Sequence, residues 1–200
     1  MKKIDWKMLV VTSLIFLIPL VLVVIYYSQL PEVVQIHFGI DNEANGIGSK
    51  WVTLVGTPLL VLTLHIFLCI ALDVTKSGRI PAVKVMKWVL PIVMTLVTTS
   101  ILLVNVGNEL DYRRLVIALL AGIYLVTGNY MPKDTAGVAE MQSLRLRKKT
   151  AYLFIGAAVA LLLSLFFEPI VSIVVLIFFT ISAIVWSMYC GYKGYKMTHH

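Results

Sequence analysis

The stretch that decides the fold is MLVVTSLIFLIPLVLVVIYY at residues 8–27, which contains no charged side chain. At 1.5 Å per residue, a helix of this length crosses a hydrocarbon core about 30 Å thick. Backbone polar groups in lipid must be paired within the spanning structure, so the stretch predicts a helix. Five further windows without an acidic or basic residue follow, at 51–72, 88–106, 115–131, 151–167 and 170–190. The sequence predicts an all-α membrane protein with six transmembrane helices.

The composition excludes a water-soluble single domain. The chain is 60% hydrophobic and only 14% charged, whereas soluble domains average about 45–50% apolar and about 25% charged residues. The first window is longer than a signal-peptide core and is followed by no small-residue cleavage site, so we expect a retained helix. Cys69 and Cys190 lie inside apolar windows, without the spacing of a disulfide framework or a metal site.

The basic residues are distributed asymmetrically along the chain. With a cytoplasmic N-terminus, the inner segments hold 14 of the 17 lysines and arginines, and the outer ones hold only Lys50, Arg113 and Arg114. The inner segments are 1–7, 73–87, 132–150 and 191–200. Basic residues gather on the cytoplasmic side of membrane proteins, so both termini are predicted to be cytoplasmic, in a cell membrane. This distribution also explains the net charge of +7 without a nucleic-acid partner.

Two regions are predicted. Residues 1–72 would form the first two helices with an extracytoplasmic loop at 28–50. Residues 73–200 would form a four-helix region with a basic cytoplasmic loop at 132–150. That loop is predicted to contact anionic lipid or a cytoplasmic partner through Arg145, Arg147, Lys148 and Lys149. Pro19 and Pro58 are expected to kink their helices, and Pro91 to lie in the first turn of the third helix, where its missing N–H costs little.

The outer loop has the pattern of an ordered cap on the helix ends. Val34, Ile36 and Phe38 alternate with polar residues, which predicts a short strand with one apolar side. Turn-competent glycines and asparagines follow it. The candidate ligand-binding residues here are His37, Phe38, Asp41, Glu43 and Lys50. His37, Asp41 and Glu43 lie close enough in sequence to suggest a metal, but a hydrogen-bonded loop is favoured, and neither a metal nor a cofactor is predicted.

Chemistry inside the membrane windows is sparse. His65 is the one ionisable residue well inside a window, and it predicts either a hydrogen bond to a neighbouring helix or a ligand or gating role. Asn129, near a helix end, is a second candidate polar site, although a helix cap or cross-link is favoured. All ten acidic residues are assigned to loops or helix ends, which counts against a cation-coupled transporter. No enzyme motif is present, so a non-enzymatic protein is predicted.

Two motifs resemble a family of bacterial membrane proteins that includes the immunity protein against the sporulation-delaying peptide toxin. The first is the outer-loop pattern of Leu30, Pro31, Ile36-His37-Phe38 and Gly48-Ser49-Lys50. The second is Gly128-Asn129-Tyr130-Met131-Pro132-Lys133. The chain departs from the family at Asn42, where a turn glycine is usual, and at Ile47, where an aromatic is usual. It also lacks the family's Gly-Ile-Arg-Thr-Pro-Trp-like run after the second motif.

The resemblance implies a six-helix immunity or resistance protein of a Gram-positive bacterium that protects the membrane from a secreted antimicrobial peptide. Phe38 would serve as an apolar anchor and Asp41 and Glu43 as charge partners, with His37 and Lys50 organising the loop. One alternative is a membrane sensor that holds a cytoplasmic regulator. A small-solute or lipid transporter is a less favoured one.

Overall fold

A computed structural model describes residues 4–75, 81–133 and 144–198. This part of the chain contains seven α-helices and one two-stranded antiparallel sheet. It divides into two compact units. The first contains residues 4–75 and 83–112, and the second contains 81–82, 113–133 and 144–198. The sequence-based division after residue 72 stays a prediction.

In the first unit, two helices precede the β-hairpin along the chain and two follow it. Its elements are α1 (Trp6–Leu14), α2 (Leu17–Tyr26), β1 (Val33–Phe38), β2 (Ala44–Ser49), α3 (Thr57–Val74) and α4 (Pro81–Asn105), whose first two residues belong to the second unit. The second unit contains α5 (Tyr112–Tyr130), whose first residue belongs to the first unit, and two further helices. These are α6 (Leu144–Ser164) and α7 (Pro169–Thr198).

Five helical segments of the described chain are long and apolar enough to cross a membrane. They are Trp6–Gln29, Val52–Val74, Val83–Asn105, Tyr112–Lys133 and Pro169–Tyr192. A multi-pass helical protein embedded in a membrane follows from their length and composition. The sixth predicted window, 151–167, falls on α6, which carries four basic residues in its first turns and ends at Ser164.

Pro19 divides the first apolar window into α1 and α2. Without an N–H, Pro19 cannot donate to the carbonyl of Ile15, four residues earlier. That carbonyl accepts instead from the Ile18 amide at 3.1 Å and from the Thr95 hydroxyl of α4 at 3.2 Å. A neighbouring helix thus satisfies the carbonyl that proline leaves free, as a lipid environment requires.

Pro58 follows a π-helical segment, Val52–Gly56, that leads into α3. The carbonyl of Val52 accepts the Thr57 amide and also the Thr57 hydroxyl, the latter at 2.9 Å. The wider turn places the proline in the first turn of α3, where its missing N–H costs little.

The expected position of Pro91 in a first helical turn is wrong. α4 begins at Pro81, well before the apolar window, and Pro91 lies in its interior. The preceding segment contains Lys84, Met86 and Lys87, all good helix formers, and this local propensity extends the helix past the apolar window.

The basic residues expected in a loop at 132–150 lie instead on a helix. Residues 131–133 form a 3-10 turn, and α6 already begins at Leu144. Arg145, Arg147, Lys148 and Lys149 therefore occupy its first turns. Arginine and lysine favour helices, so the helix continues beyond its apolar part. The remaining residues of the predicted loop, 134–143, lie outside the described residues.

Helices α5 and α6 approach each other closely at Gly128. A Cβ atom built on Gly128 would lie 2.8 Å from Cγ1 of Ile155 and 2.9 Å from the carbonyl oxygen of Ala151. Ala121 and Ile117 of α5 continue the contact with Ala158 and Leu161 in one buried cluster. Small residues let helix backbones approach in this way.

Replacement of Gly128 by valine is expected to destabilise the protein by about 1–3 kcal/mol, because the added methyl groups would displace the α6 backbone. The matched control is Gly122→Val on the same helix, where an added Cβ meets nothing within 4 Å. Thermal unfolding in detergent, followed by circular dichroism, measures both. Equal midpoints for the two variants would contradict the close approach.

Candidate binding site at the β-hairpin

The segment between the first two spans is an ordered β-hairpin. β1 pairs with β2 in antiparallel register, with Val34 opposite Gly48 and Phe38 opposite Ala44, and irregularities lie between Gln35 and Phe38. The predicted strand through Val34 and Phe38 is confirmed. The second strand, Ala44–Ser49, is rich in glycine and asparagine, and the sequence interpretation assigned it to turns.

The hairpin is anchored by apolar side chains below it. Leu30 and Val34 are buried in one cluster with Val23 of α2, Leu54 of the π segment and Leu102 of α4. Burial of a Val or Leu side chain contributes about 1.5–3 kcal/mol, so this contact holds the base of the hairpin in place.

The Asn105 side chain continues the sheet beyond β1. Its Oδ1 accepts the Gln35 amide at 2.8 Å, and its Nδ2 donates to the Gln35 carbonyl at 3.0 Å. The Asn105 amide group thus pairs with the backbone N–H and C=O of Gln35, as a neighbouring strand would at the free edge of β1. Asn105 ends α4, so the hairpin edge is fixed to that helix.

Asn42 fixes the tip of the hairpin. Its φ of 65° is in the left-handed region, which asparagine tolerates better than most residues. Its Nδ2 donates to the Leu110 carbonyl at 2.8 Å, and its Oδ1 accepts the Tyr112 amide at 2.9 Å. Tyr112 is the first residue of α5, so Asn42 acts as a helix cap from a distant part of the chain.

Phe38 is stacked on Tyr112. The ring centroids are 3.8 Å apart and the planes are 9° from parallel. This contact strengthens the attachment of the tip to the start of α5. Part of the Phe38 ring is therefore covered by Tyr112, and its remaining surface lines an adjoining cleft.

Lys50 follows β2 and contacts residues that precede β1. Its Nζ lies 2.9 Å from Oε1 of Glu32 and 4.2 Å from the centroid of the Tyr27 ring. The hydrogen bond with Glu32 raises the pKa of Lys50 above 10.5. A raised lysine pKa means that the pair stabilises the fold at neutral pH and that its contribution disappears as the pH rises through that pKa.

His37 and Asp41 also make contacts within the hairpin. Nδ1 of His37 is hydrogen-bonded to Oδ1 of Asn45 on the opposite strand. Oδ1 of Asp41 accepts the Glu43 amide at 3.1 Å in the turn. Of the five predicted ligand-binding residues, Phe38 and Glu43 line the cleft, and His37, Asp41 and Lys50 do not.

The cleft has a volume of about 530 Å³ and lies between the hairpin tip and the residues that precede α5. Three acidic side chains line it, and no lysine or arginine among the described residues does so. The acidic residues are Glu43, Glu109 and Asp111. Acidic groups that share a concave surface create a negative potential that attracts cations. Glu109 and Asp111 were not named as site residues from the sequence, because they are far from the hairpin in the chain.

His65 lies in a separate, buried polar cluster between α1 and α3. Its Nε2 is 2.8 Å from the Thr12 hydroxyl oxygen, which is itself 2.9 Å from the Met8 carbonyl. The consistent arrangement has Nε2–H donating to Thr12 and Thr12 donating to Met8. Sγ of Cys69 lies 3.8 Å from Nδ1. The ring thus connects α3 to α1 by one hydrogen bond, to Thr12.

An ion pair is buried about two turns beyond His65 along α3. Nζ of Lys87 lies 2.5 Å from Oδ1 of Asp73, and the two side chains are 1% and 4% exposed. The second carboxylate oxygen accepts the Asp5 amide at 3.1 Å. Asp73 belongs to the span Val52–Val74. Asp73 is next to the last residue of α3, so its assignment to a helix end is confirmed, and its carboxylate is buried there.

Asn129 is exposed near the end of α5, where its Oδ1 accepts a hydrogen bond from Nζ of Lys133 at 3.2 Å. Asn129 and His65 belong to different units. Arg145 and Lys149 line a second, larger cleft between α6 and α7.

The fold and the hairpin define a multi-pass helical membrane protein with an acidic cleft beside a β-hairpin. A family model matches residues 14–62, about a quarter of the chain, and its description is domain of unknown function DUF1648. The match covers α2, the hairpin and the first part of α3. It assigns no activity and names no immunity family. Neither a curated protein nor a solved structure matches the chain significantly.

Proposed function

We propose that the protein is a membrane immunity or resistance protein that captures a cationic secreted peptide in the acidic cleft. The observation that carries the proposal is the cleft itself, in which Glu43, Glu109 and Asp111 lie beside the partly exposed Phe38 ring. A cationic, amphipathic peptide offers both a positive charge and an apolar face. The cleft complements both, and its negative potential would speed the encounter.

The proposed orientation places this cleft outside the cell. Fourteen of the seventeen basic residues then face the cytoplasm with both termini, in accord with the distribution of lysine and arginine in membrane proteins. This orientation needs a sixth crossing by α6 and the residues that follow it. Secreted peptides arrive at that surface, where a receptor must act.

The hairpin contacts support a preformed receptor. Asn42 and Phe38 fix the tip to the start of α5, and Asn105 fixes the edge to α4. A site held in its binding conformation loses less conformational freedom when a ligand binds. The cleft is therefore ready to bind without rearrangement of the loop.

The test is survival of a sensitive Gram-positive host that expresses the protein and is challenged with secreted cationic peptides. We expect protection, and we expect Glu43→Gln and Glu109→Gln each to lower the inhibitory concentration by about two- to fivefold, since an exposed ion pair contributes ~0.5–1 kcal/mol. Glu168→Gln removes one charge from a turn outside the cleft and is the matched control. Raised salt is expected to weaken protection by the unsubstituted protein.

Two results would contradict the proposal in different ways. Absence of protection against every peptide, with correct membrane insertion, would reject immunity and favour the sensor hypothesis. Protection that survives in the Glu43→Gln, Glu109→Gln double variant would leave immunity in place and reject the cleft as the binding site.

A further inference from the structure

We propose that the cleft between α6 and α7 is a binding site for one anionic phospholipid, independent of the peptide function. The cleft has a volume of about 1120 Å³, slightly above the usual upper range of small-molecule pockets, about 1,000 Å³. Arg145 and Lys149 stand at one end of it, and Leu153 and Phe179 line its apolar part. The phosphate would lie at the basic end and an acyl chain along the apolar part.

The order of side chains along the cleft matches the order of groups in a phospholipid. Arg145 and Lys149 are exposed and one helical turn apart on α6, so both can face the same phosphate. Next come the rings of Tyr152 and Trp186, residue types that favour the headgroup boundary. Beyond them the lining is predominantly apolar. This order of charged, aromatic and aliphatic side chains favours a phospholipid over a peptide helix as the occupant of the cleft.

Two local features shape the cleft. Gly156 lines it, and a Cβ atom added there meets nothing within 4 Å. The absent side chain therefore leaves space rather than permitting a close helix contact. Trp186 is held in place because its Nε1 donates to the Thr150 hydroxyl at 2.8 Å. The indole ring is thus a fixed wall of the cleft and a natural fluorescent reporter of what occupies it.

The experiment measures quenching of Trp186 fluorescence by lipids brominated on the acyl chain. The full-length protein with Trp6, Trp51 and Trp88 replaced by phenylalanine is reconstituted into phosphatidylcholine bilayers. Brominated phosphatidylglycerol or brominated phosphatidylcholine is then added at equal mole fractions. We expect stronger quenching by the anionic lipid, because it concentrates at the basic end of the cleft.

Two variants separate a cleft from simple surface attraction. Arg145→Gln with Lys149→Gln is expected to lower the relative affinity for the anionic lipid by about 25-fold, since each cation near the surface contributes about fivefold. Lys84→Gln with Lys148→Gln removes the same charge from residues outside the cleft and should leave it unchanged. Gly156→Leu is expected to weaken the preference by narrowing the apolar part of the cleft, while Gly122→Leu, which also meets open space, should leave the preference unchanged.

Equal quenching by the two lipids would overturn the proposal. So would a preference that is undiminished in the Gly156→Leu variant, because the lipid would then be attracted to the basic surface without entering the cleft. Failure of both lipids to quench Trp186 would also overturn it, because no acyl chain would then lie against this wall of the cleft.

Discussion

Replacement of Lys87 by methionine is expected to lower the free energy of unfolding by about 3–5 kcal/mol, the largest effect of the substitutions considered. The Asp73 carboxylate is 4% exposed, and Lys87 is its counter-ion at 2.5 Å. Without Lys87, the carboxylate keeps the Asp5 amide as a hydrogen-bond donor, but its buried charge is uncompensated. Loss of one partner from a buried ion pair is costly for this reason.

The measurement is unfolding by titration of SDS into mixed micelles, followed by circular dichroism. The matched control is Lys84→Met on the same helix, where the lysine is exposed and the change should stay within about 0.5 kcal/mol. The double variant Asp73→Leu, Lys87→Met should recover most of the loss, because it removes both buried charges. A residual cost of about 1 kcal/mol is expected, since the Asp5 amide loses its acceptor.

A loss in Lys87→Met no larger than in Lys84→Met would show that the pair is not buried as described. A double variant as unstable as the sum of its two single variants would show that the two side chains do not act together.

The helical fold was largely predictable because its signal is local. A window such as 170–190 has no charged residue, and backbone pairing in lipid then requires a helix whatever surrounds it. The helix ends were less predictable. Pro81 begins α4 well before its apolar window, and α6 includes the basic residues from Arg145 onward, because helix propensity continues where hydropathy has ended.

Contacts between distant residues could not be predicted from one sequence. Asp73 and Lys87 each lie near the end of an apolar window, where a charged residue ordinarily faces water or headgroups. Their pairing depends on how α3 and α4 pack, which hydropathy does not report. The same reasoning applies to Glu109, whose position beside Glu43 depends on the hairpin tip.

The hairpin contains one strand that the sequence predicts and one that it does not. The alternation at Val34 and Phe38 predicts β1, because one face of a half-buried strand is apolar. β2 has no such pattern. Gly48 is closely packed there, since a Cβ atom at this position would lie 2.8 Å from the Thr53 hydroxyl oxygen and 3.1 Å from Cδ1 of Ile36. The sequence alone does not distinguish a glycine that allows close packing in a strand from a glycine that allows a turn.

Replacement of Asn42 by alanine is expected to cost about 2–4 kcal/mol and to release the hairpin tip. The change removes hydrogen bonds to Leu110 and Tyr112, each contributing about 0.5–1.5 kcal/mol. It also forces alanine to adopt a φ of 65°, which adds roughly 1–2 kcal/mol. Glu43 and Glu109 keep their charges, but the wall that positions them becomes mobile, so peptide protection should fall as well.

The variant Asn42→Gly separates the two causes, because glycine adopts positive φ without strain and loses only the hydrogen bonds. We therefore expect it to be about 1–2 kcal/mol more stable than Asn42→Ala, with faster hydrogen exchange at the Tyr112 amide in both. Asn108→Ala, which removes one hydrogen bond to the Leu103 carbonyl, is the control beside the cleft. If Asn42→Gly and Asn42→Ala are equally unstable, the left-handed backbone is not the constraint. If Tyr112 exchange is unchanged, Asn42 does not cap α5.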